Sequence, residues 1–238
     1  MAEQVDFGVR ISEIFKVGIS GYVKNVIPLS LAGAVTLGVY GIFRYEAQQF
    51  LNDGRDLPAL MVDLVGLIVS GTMAYPWFFY ALKAARGEPI DIRDPFFFMN
   101  RFAHQAVAGA FFWAGVLFGL RYGKTLFFLP AIVVGVLYAF YGYVIADTPL
   151  TKKKKKEMRG GSYALGTSVR LGEKRRFGIF GIGVLFLLFN FVGAMFGLAI
   201  DEPAILQYGV TILGLIITTS ITMVGGAHIY DVLKGKLR

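Results

Sequence analysis

Residues 148–183 read TPLTKKKKKEMRGGSYALGTSVRLGEKRRFGIFGIG. Five consecutive lysines, Lys152, Lys153, Lys154, Lys155 and Lys156, are followed by a glycine-softened helical pattern. A second basic cluster, Lys174, Arg175 and Arg176, then gives way abruptly to apolar residues. Such a stretch suits a nucleic-acid arm, a phosphate loop or a loop between membrane spans, and its neighbours decide. FFLPAIVVGVLYAFYGYVIAD (127–147) precedes it, and a second apolar run follows over 177–199. A bilayer core of about 30 Å takes about 20 apolar residues of helix. Both flanks are long enough to cross, and the basic stretch joins them.

The whole chain fits that reading. Of its 238 residues 55% are hydrophobic and only 17% charged, with mean hydropathy +0.60. A soluble domain carries about 25% charged residues. Apolar blocks of membrane length fall at 25–43, 59–82, 104–120, 125–147, 177–199 and 204–230, which predicts an all-α, polytopic membrane bundle of about six spans in a single domain over 1–238. The first 24 residues alternate charge with apolar side chains, a pattern foreign to a cleavable signal peptide. Cysteine is absent, which excludes a disulfide framework, a thiolate metal site and a catalytic cysteine.

Lysine and arginine set the orientation. With both termini on one side, twenty of the 24 basic residues share that side, and Arg44, Arg55, Arg121 and Lys124 alone lie opposite. Both termini are therefore expected in the cytoplasm, with the protein in the plasma or inner membrane. The loop 148–176 becomes cytoplasmic. Two roles are open to Lys152, Lys153, Lys154, Lys155 and Lys156, to Arg159, and to the cluster at Lys174, Arg175 and Arg176. They read as retention charge or as a contact for anionic lipid headgroups, where each basic residue contributes about 1 kcal/mol. Nucleic acid is not an expected partner, because no basic–aromatic interleaving accompanies the charge.

Three outward spans each follow an amphipathic segment. Within 1–24, Ile11, Ile14, Phe15, Gly18 and Tyr22 form one helical stripe, and Arg10, Glu13, Ser20 and Lys24 fall opposite, as in a helix lying in the interface. Asp94-Pro95 reads as an N-cap with proline at the first helical position, leading into Phe96, Phe97, Phe98, Met99 and Phe102. Ser162 starts a third such segment. TMAYPWFFYALK (72–83) and TMVGGAHIYDVLK (222–234) share Thr-Met and a spaced tyrosine. Together these predict three tandem units of interfacial helix plus helical hairpin.

In this order of elements the chain resembles a bacterial group of six-helix membrane proteins, the glycerophosphodiester phosphodiesterase membrane-domain-like group. LKAARGEPIDIRDPFFFMNRF is similar to its second cytoplasmic loop. FFLPAIVVGVLYAFYGYVIAD is similar to its fourth span, and SYALGTSVRLGEKRRFGIFGIG to the short helix and the start of the fifth. The resemblance implies the six-helix fold and carries no catalytic motif. The lysine run departs from that group's usual pattern.

Chemical motifs are scarce. Gly161–Ser168 has the spacing of a phosphate loop but lacks its lysine and a preceding strand. His104 and His228 are far apart, and no nucleophile–base–acid order or metal-ligand spacing can be assembled. No catalytic, cofactor or metal residue is expected. His228 and Asp231 share a helix face at i, i+3, as a structural pair or a headgroup contact. Asp63, inside PALMVDLVGLIV, marks an intramembrane polar site by default, with Thr219 in the Thr218–Thr222 cluster as its candidate companion. Gly115, Gly119, Gly193 and Gly197, and the Ser30, Ala34, Gly38 series, allow close helix packing within the bundle or against a partner. Aromatic residues from Tyr75 to Tyr80 and Phe96 to Phe98 suit membrane interfaces.

Two functions follow as expectations. One is a non-enzymatic membrane protein acting by contact, as an accessory or scaffold subunit or a lipid-associated protein, with anionic lipid and a membrane protein or a second copy as partners. The other is a small transporter or channel for an ion or small solute, which requires polar side chains converging at mid-membrane.

Overall fold

Lipid offers no partner for a free backbone group, so an apolar run of membrane length satisfies its own N–H and C=O groups by becoming a helix. In the computed structural model, residues 9–123, 128–147, 162–199 and 204–236 are described, and they are helical without strands. Helix α1 (Ile11–Lys24) turns at Asn25 into α2 (Val26–Asn52), and α3 (Asp56–Met73) returns. α4 (Tyr75–Arg86) continues that direction, and a 3-10 turn at Asp94–Phe98 leads into α5 (Asn100–Tyr122). Then come α6 (Leu129–Leu137), α7 (Tyr141–Asp147), α8 (Ser162–Leu171), α9 (Arg176–Leu198) and α10 (Ala204–Gly235).

Six segments are long and apolar enough to cross a membrane: Val26–Asn52, Asp56–Met73, Asn100–Leu120, Leu129–Asp147, Arg176–Gly197 and Leu206–Gly235. The predicted all-α bundle of six spans is the observed fold. The order of short helix plus hairpin occurs three times, as α1 before α2–α3, the 3-10 turn before α5–α6, and α8 before α9–α10. With six crossings, the start of α1 and the ends of α4, α7 and α10 share one side, here called the basic end.

Two spans are interrupted. α3 gives way to α4 at Ala74, with Pro76 in the first turn of α4, because a proline ring removes a donor and clashes with the preceding turn. The equivalent stretch in α10 carries Gly225-Gly226 and runs on unbroken. The second interruption, at Tyr138–Phe140, has no proline. Ser168 of α8 bridges it: its hydroxyl accepts from Phe140 N–H at 3.0 Å and donates to Leu137 C=O at 3.1 Å. Backbone groups freed in a membrane helix must be satisfied by a neighbour, and α8 supplies that neighbour.

At 1.5 Å per residue the 32 residues of α10 span about 48 Å, beyond the hydrocarbon thickness of about 30 Å. Its last turns therefore stand clear of the core, and α1 crosses it near Ile221–Gly225. A Cβ on Gly18 would lie 2.6 Å from the Ile221 carbonyl oxygen, and Ile14 packs on Gly225. The apolar stripe of α1 is thus buried against α10, and Phe15 meets Phe186 and Phe189 of α9 edge-on. The expected interfacial helix is a packed element. Its flank, with Ile19 and Val23, stays exposed.

Candidate functional site

The most ordered chemistry lies at the basic end, where α4, α7 and α10 meet. Arg86 closes α4 ahead of Gly87, which takes a left-handed φ of 68° and ends the helix. Its guanidinium forms a two-point bond to Asp231 on α10, Nε to Oδ2 at 2.9 Å and Nη2 to Oδ1 at 2.6 Å. The same Nη2 lies 2.9 Å from Asp147 Oδ1 at the end of α7. Asp147 also accepts from Tyr230 at 2.9 Å and from Lys234, and its side chain is only 9% exposed. Two carboxylates and two cations thus tie three helices together. The hydrogen bond to Asp231, and then the charge of Asp147, raise the Arg86 pKa above its ordinary value against the opposing effect of burial. Its charge is permanent.

Around this hub the aromatic side chains are buried. Tyr143 stacks on Tyr230 at 5.9 Å and donates to Met223 C=O. Phe78 lies edge-on to Tyr143, and Trp77 Nε1 donates to Ser220 at 3.1 Å. Tyr75, Trp77 and Tyr80 are core residues, which corrects their expected place in an interfacial belt: Tyr75 packs edge-on against Phe102 of α5, Trp77 bonds Ser220 in the middle of α10, and Tyr80 donates to Ile92 C=O in the loop after α4. Phe96 and Phe97 are exposed, as a belt requires.

Other expectations are redistributed. Asp94 is the first residue of the 3-10 turn, with Arg93 at the capping position, and its side chain pairs with Lys83. His228 and Asp231 do not pair with each other, because Asp231 is taken by Arg86 and His228 Nε2 faces Glu13 Oε1 of α1 at 3.5 Å. Asp63 pairs with Arg44 of α2 at 2.7 Å near the far end. Thr219 stands midway along α10, which packs on α9, α1, α4 and α2, whereas α3 packs on α2 and α5. The structure therefore does not bring Asp63 and Thr219 into one site. The threonine cluster bonds back to its own helix, Thr218 to Gly214 C=O and Thr222 to Thr219 C=O, and packs against α9 through Gly193 and Asn190.

The glycine stripes face inward. A Cβ on Gly115 would meet Val134 at 3.2 Å, and Gly119 lies against the backbone of Ala131. Gly193 sits on Thr218 and on Gly214 C=O, the latter 2.7 Å from a Cβ, and Gly197 on Thr211 and Gln207 C=O. These four positions join α5 to α6 and α9 to α10. Gly38 has open space around it.

A second polar group was not anticipated from the sequence. Arg101, His104 and Gln105 share one buried face of α5. Arg101 donates to Ala146 C=O and lies 4.8 Å from the Phe98 ring. Gln105 is fully buried, and neither atom of its amide has a hydrogen-bond partner. The i, i+3, i+4 spacing of these residues was legible; their burial was not.

The basic loop is described only in its second half. Lys152, Lys153, Lys154, Lys155, Lys156 and Arg159, expected as headgroup contacts, lie outside the described residues. Lys174 and Arg176 are exposed, Arg175 is half-buried, and Lys174 adopts a left-handed φ of 67° in the turn before α9. No group of three metal-ligating side chains occurs among the described residues.

This arrangement defines a multi-pass α-helical membrane protein. No family model, curated protein or solved structure matches the chain.

Proposed function

We propose that the protein acts by contact in the plasma or inner membrane, as an accessory or scaffold subunit or a lipid-associated protein without catalysis of its own. Both termini and the basic end face the cytoplasm. The observation that carries this reading is the division of labour among the side chains. Charged groups at the basic end bind helix to helix. The far half of α9 meanwhile turns Leu187, Leu188, Phe191, Met195 and Phe196 outward, uncovered by the protein's own helices. Such a flank serves lipid or another membrane protein, and the basic end favours an anionic leaflet.

Extraction in a gentle detergent tests it. The expected result is a fixed stoichiometry of retained anionic lipid or of one membrane partner. Replacing Lys152, Lys153, Lys154, Lys155 and Lys156 with glutamine should reduce that retention, most clearly at low salt. Isolation free of both would refute it. A second reading, transport of an ion or small solute, is favoured by the two interrupted spans and by Gln105, since broken helices and buried polar groups line transport sites.

A further inference from the structure

A cleft of about 330 Å³ lies beside the second interruption, between α7, α9 and α10. One face of α9 lines it, from Ile179 through Ile182, Gly183, Phe186 and Leu187 to Asn190. Its polar lining groups are engaged: Tyr143 with Met223 C=O at 2.8 Å, and Asn190 with Thr222 at 3.4 Å. What remains to a ligand is apolar wall. Leu187 is 68% exposed, so the cleft opens sideways to the bilayer. From Ile179 to Asn190 the helix rises about 16 Å, close to one leaflet's share of a core about 30 Å thick.

The helical spacing that sets the lining residues continues upward to Arg175 and Arg176, one turn above Ile179. Lys174 precedes them, and Glu173 is the adjacent acid. Arg175 Nη1 is buried without a hydrogen-bond partner. An apolar slot one leaflet deep, open to lipid and topped by three cations, matches a molecule with an acyl chain and an anionic head.

We infer that this cleft seats one acyl chain of an anionic phospholipid from the leaflet at the basic end, with its phosphate held by Lys174, Arg175 and Arg176. The inference rests on the lipid-contact reading above and gives it a location.

The test uses the full chain in equimolar phosphatidylcholine and phosphatidylglycerol vesicles, the latter carrying a photoactivatable group in one acyl chain. Label is expected on residues 179–190 and 222–229, and native mass spectrometry should show one retained phosphatidylglycerol. A Cβ on Gly183 meets nothing within 4 Å, so Gly183→Leu fills the cleft without disturbing the bundle, which an unchanged melting temperature verifies. Filling the slot should remove the label from residues 179–190 and the one retained phosphatidylglycerol. Replacing Lys174, Arg175 and Arg176 with glutamine should keep the label and abolish the preference over phosphatidylcholine. Label spread along other lipid-facing helices overturns the inference, as does full retention by Gly183→Leu. If retention falls only in the glutamine variant, the headgroup contact stands and the seated chain fails. If neither variant changes retention, both fail.

Discussion

The two ends of the bundle draw on the same pool of apolar residues and pack differently. Toward the basic end Tyr75, Trp77, Tyr80, Tyr143, Ile145 and Tyr230 are almost fully covered by neighbouring helices and the loop after α4, and the rim, with Phe97 and Phe177, faces outward. At the far end Ile42, Tyr45, Leu57, Met61, Phe118 and Tyr208 stand exposed. Lipid tails are as apolar as leucine, so apolar side chains gain little by meeting each other within a bilayer. Helices close up where polar groups, small residues or aromatic edges give them a reason to. The basic end has those reasons in the Arg86 hub, the Ser168 bridge and the Gly18 crossing. The far end has the α5–α6 and α9–α10 glycines and, among the described residues, the half-exposed Arg44–Asp63 pair.

The sharpest way to break this comparison is to remove Asp147. Asp147→Asn leaves Lys234 without its carboxylate and Arg86 with Asp231 alone. With Arg86 and Lys234 partly exposed, losing this charge-assisted partner should cost about 2–3 kcal/mol, readable as a lowered unfolding midpoint in detergent. A loss below about 1 kcal/mol would show that the hub does not hold the three helices.

Gly18→Leu and Gly38→Leu make the next pair. The first drives a side chain into the Ile221 carbonyl and should cost at least about 1–3 kcal/mol through overpacking. The second meets open space and should stay within about 0.5 kcal/mol. Equal effects would contradict the described contrast.

Ser168→Ala should cost about 1–3 kcal/mol, the penalty for leaving a buried donor or acceptor unsatisfied, with increased hydrogen exchange confined to residues near 137–141. The smallest effect is expected at the far end. Asp63→Asn breaks a pair whose arginine is 45% exposed, worth about 0–1 kcal/mol.

Much of this fold is written locally. An apolar run of about 20 residues has one solution in lipid, so all six spans were legible, as was the amphipathic stripe of α1. Their ends were less so, because α2 and α10 continue beyond the hydrocarbon, where hydropathy no longer marks the helix. A proline, Pro76, stands at the first interruption. Nothing in VLYAFY announced the second, which depends on a serine that returns from α8. The same limit governs the site. Arg86, Asp147, Asp231 and Lys234 were visible as charges near span ends, but their pairing arises from three helices distant in sequence. TMAYPWFFY read as an interfacial belt because its composition is that of one; contacts from α5, from the middle of α10 and from the loop after α4 make it a core.

The most direct test of action by contact is a flux measurement on the purified protein in sealed liposomes, loaded in turn with ions and small solutes. The account predicts no saturable flux above that of protein-free liposomes. A saturable flux abolished by Asp63→Asn or Gln105→Leu, in variants that still insert and melt normally, would contradict it and assign the protein to transport.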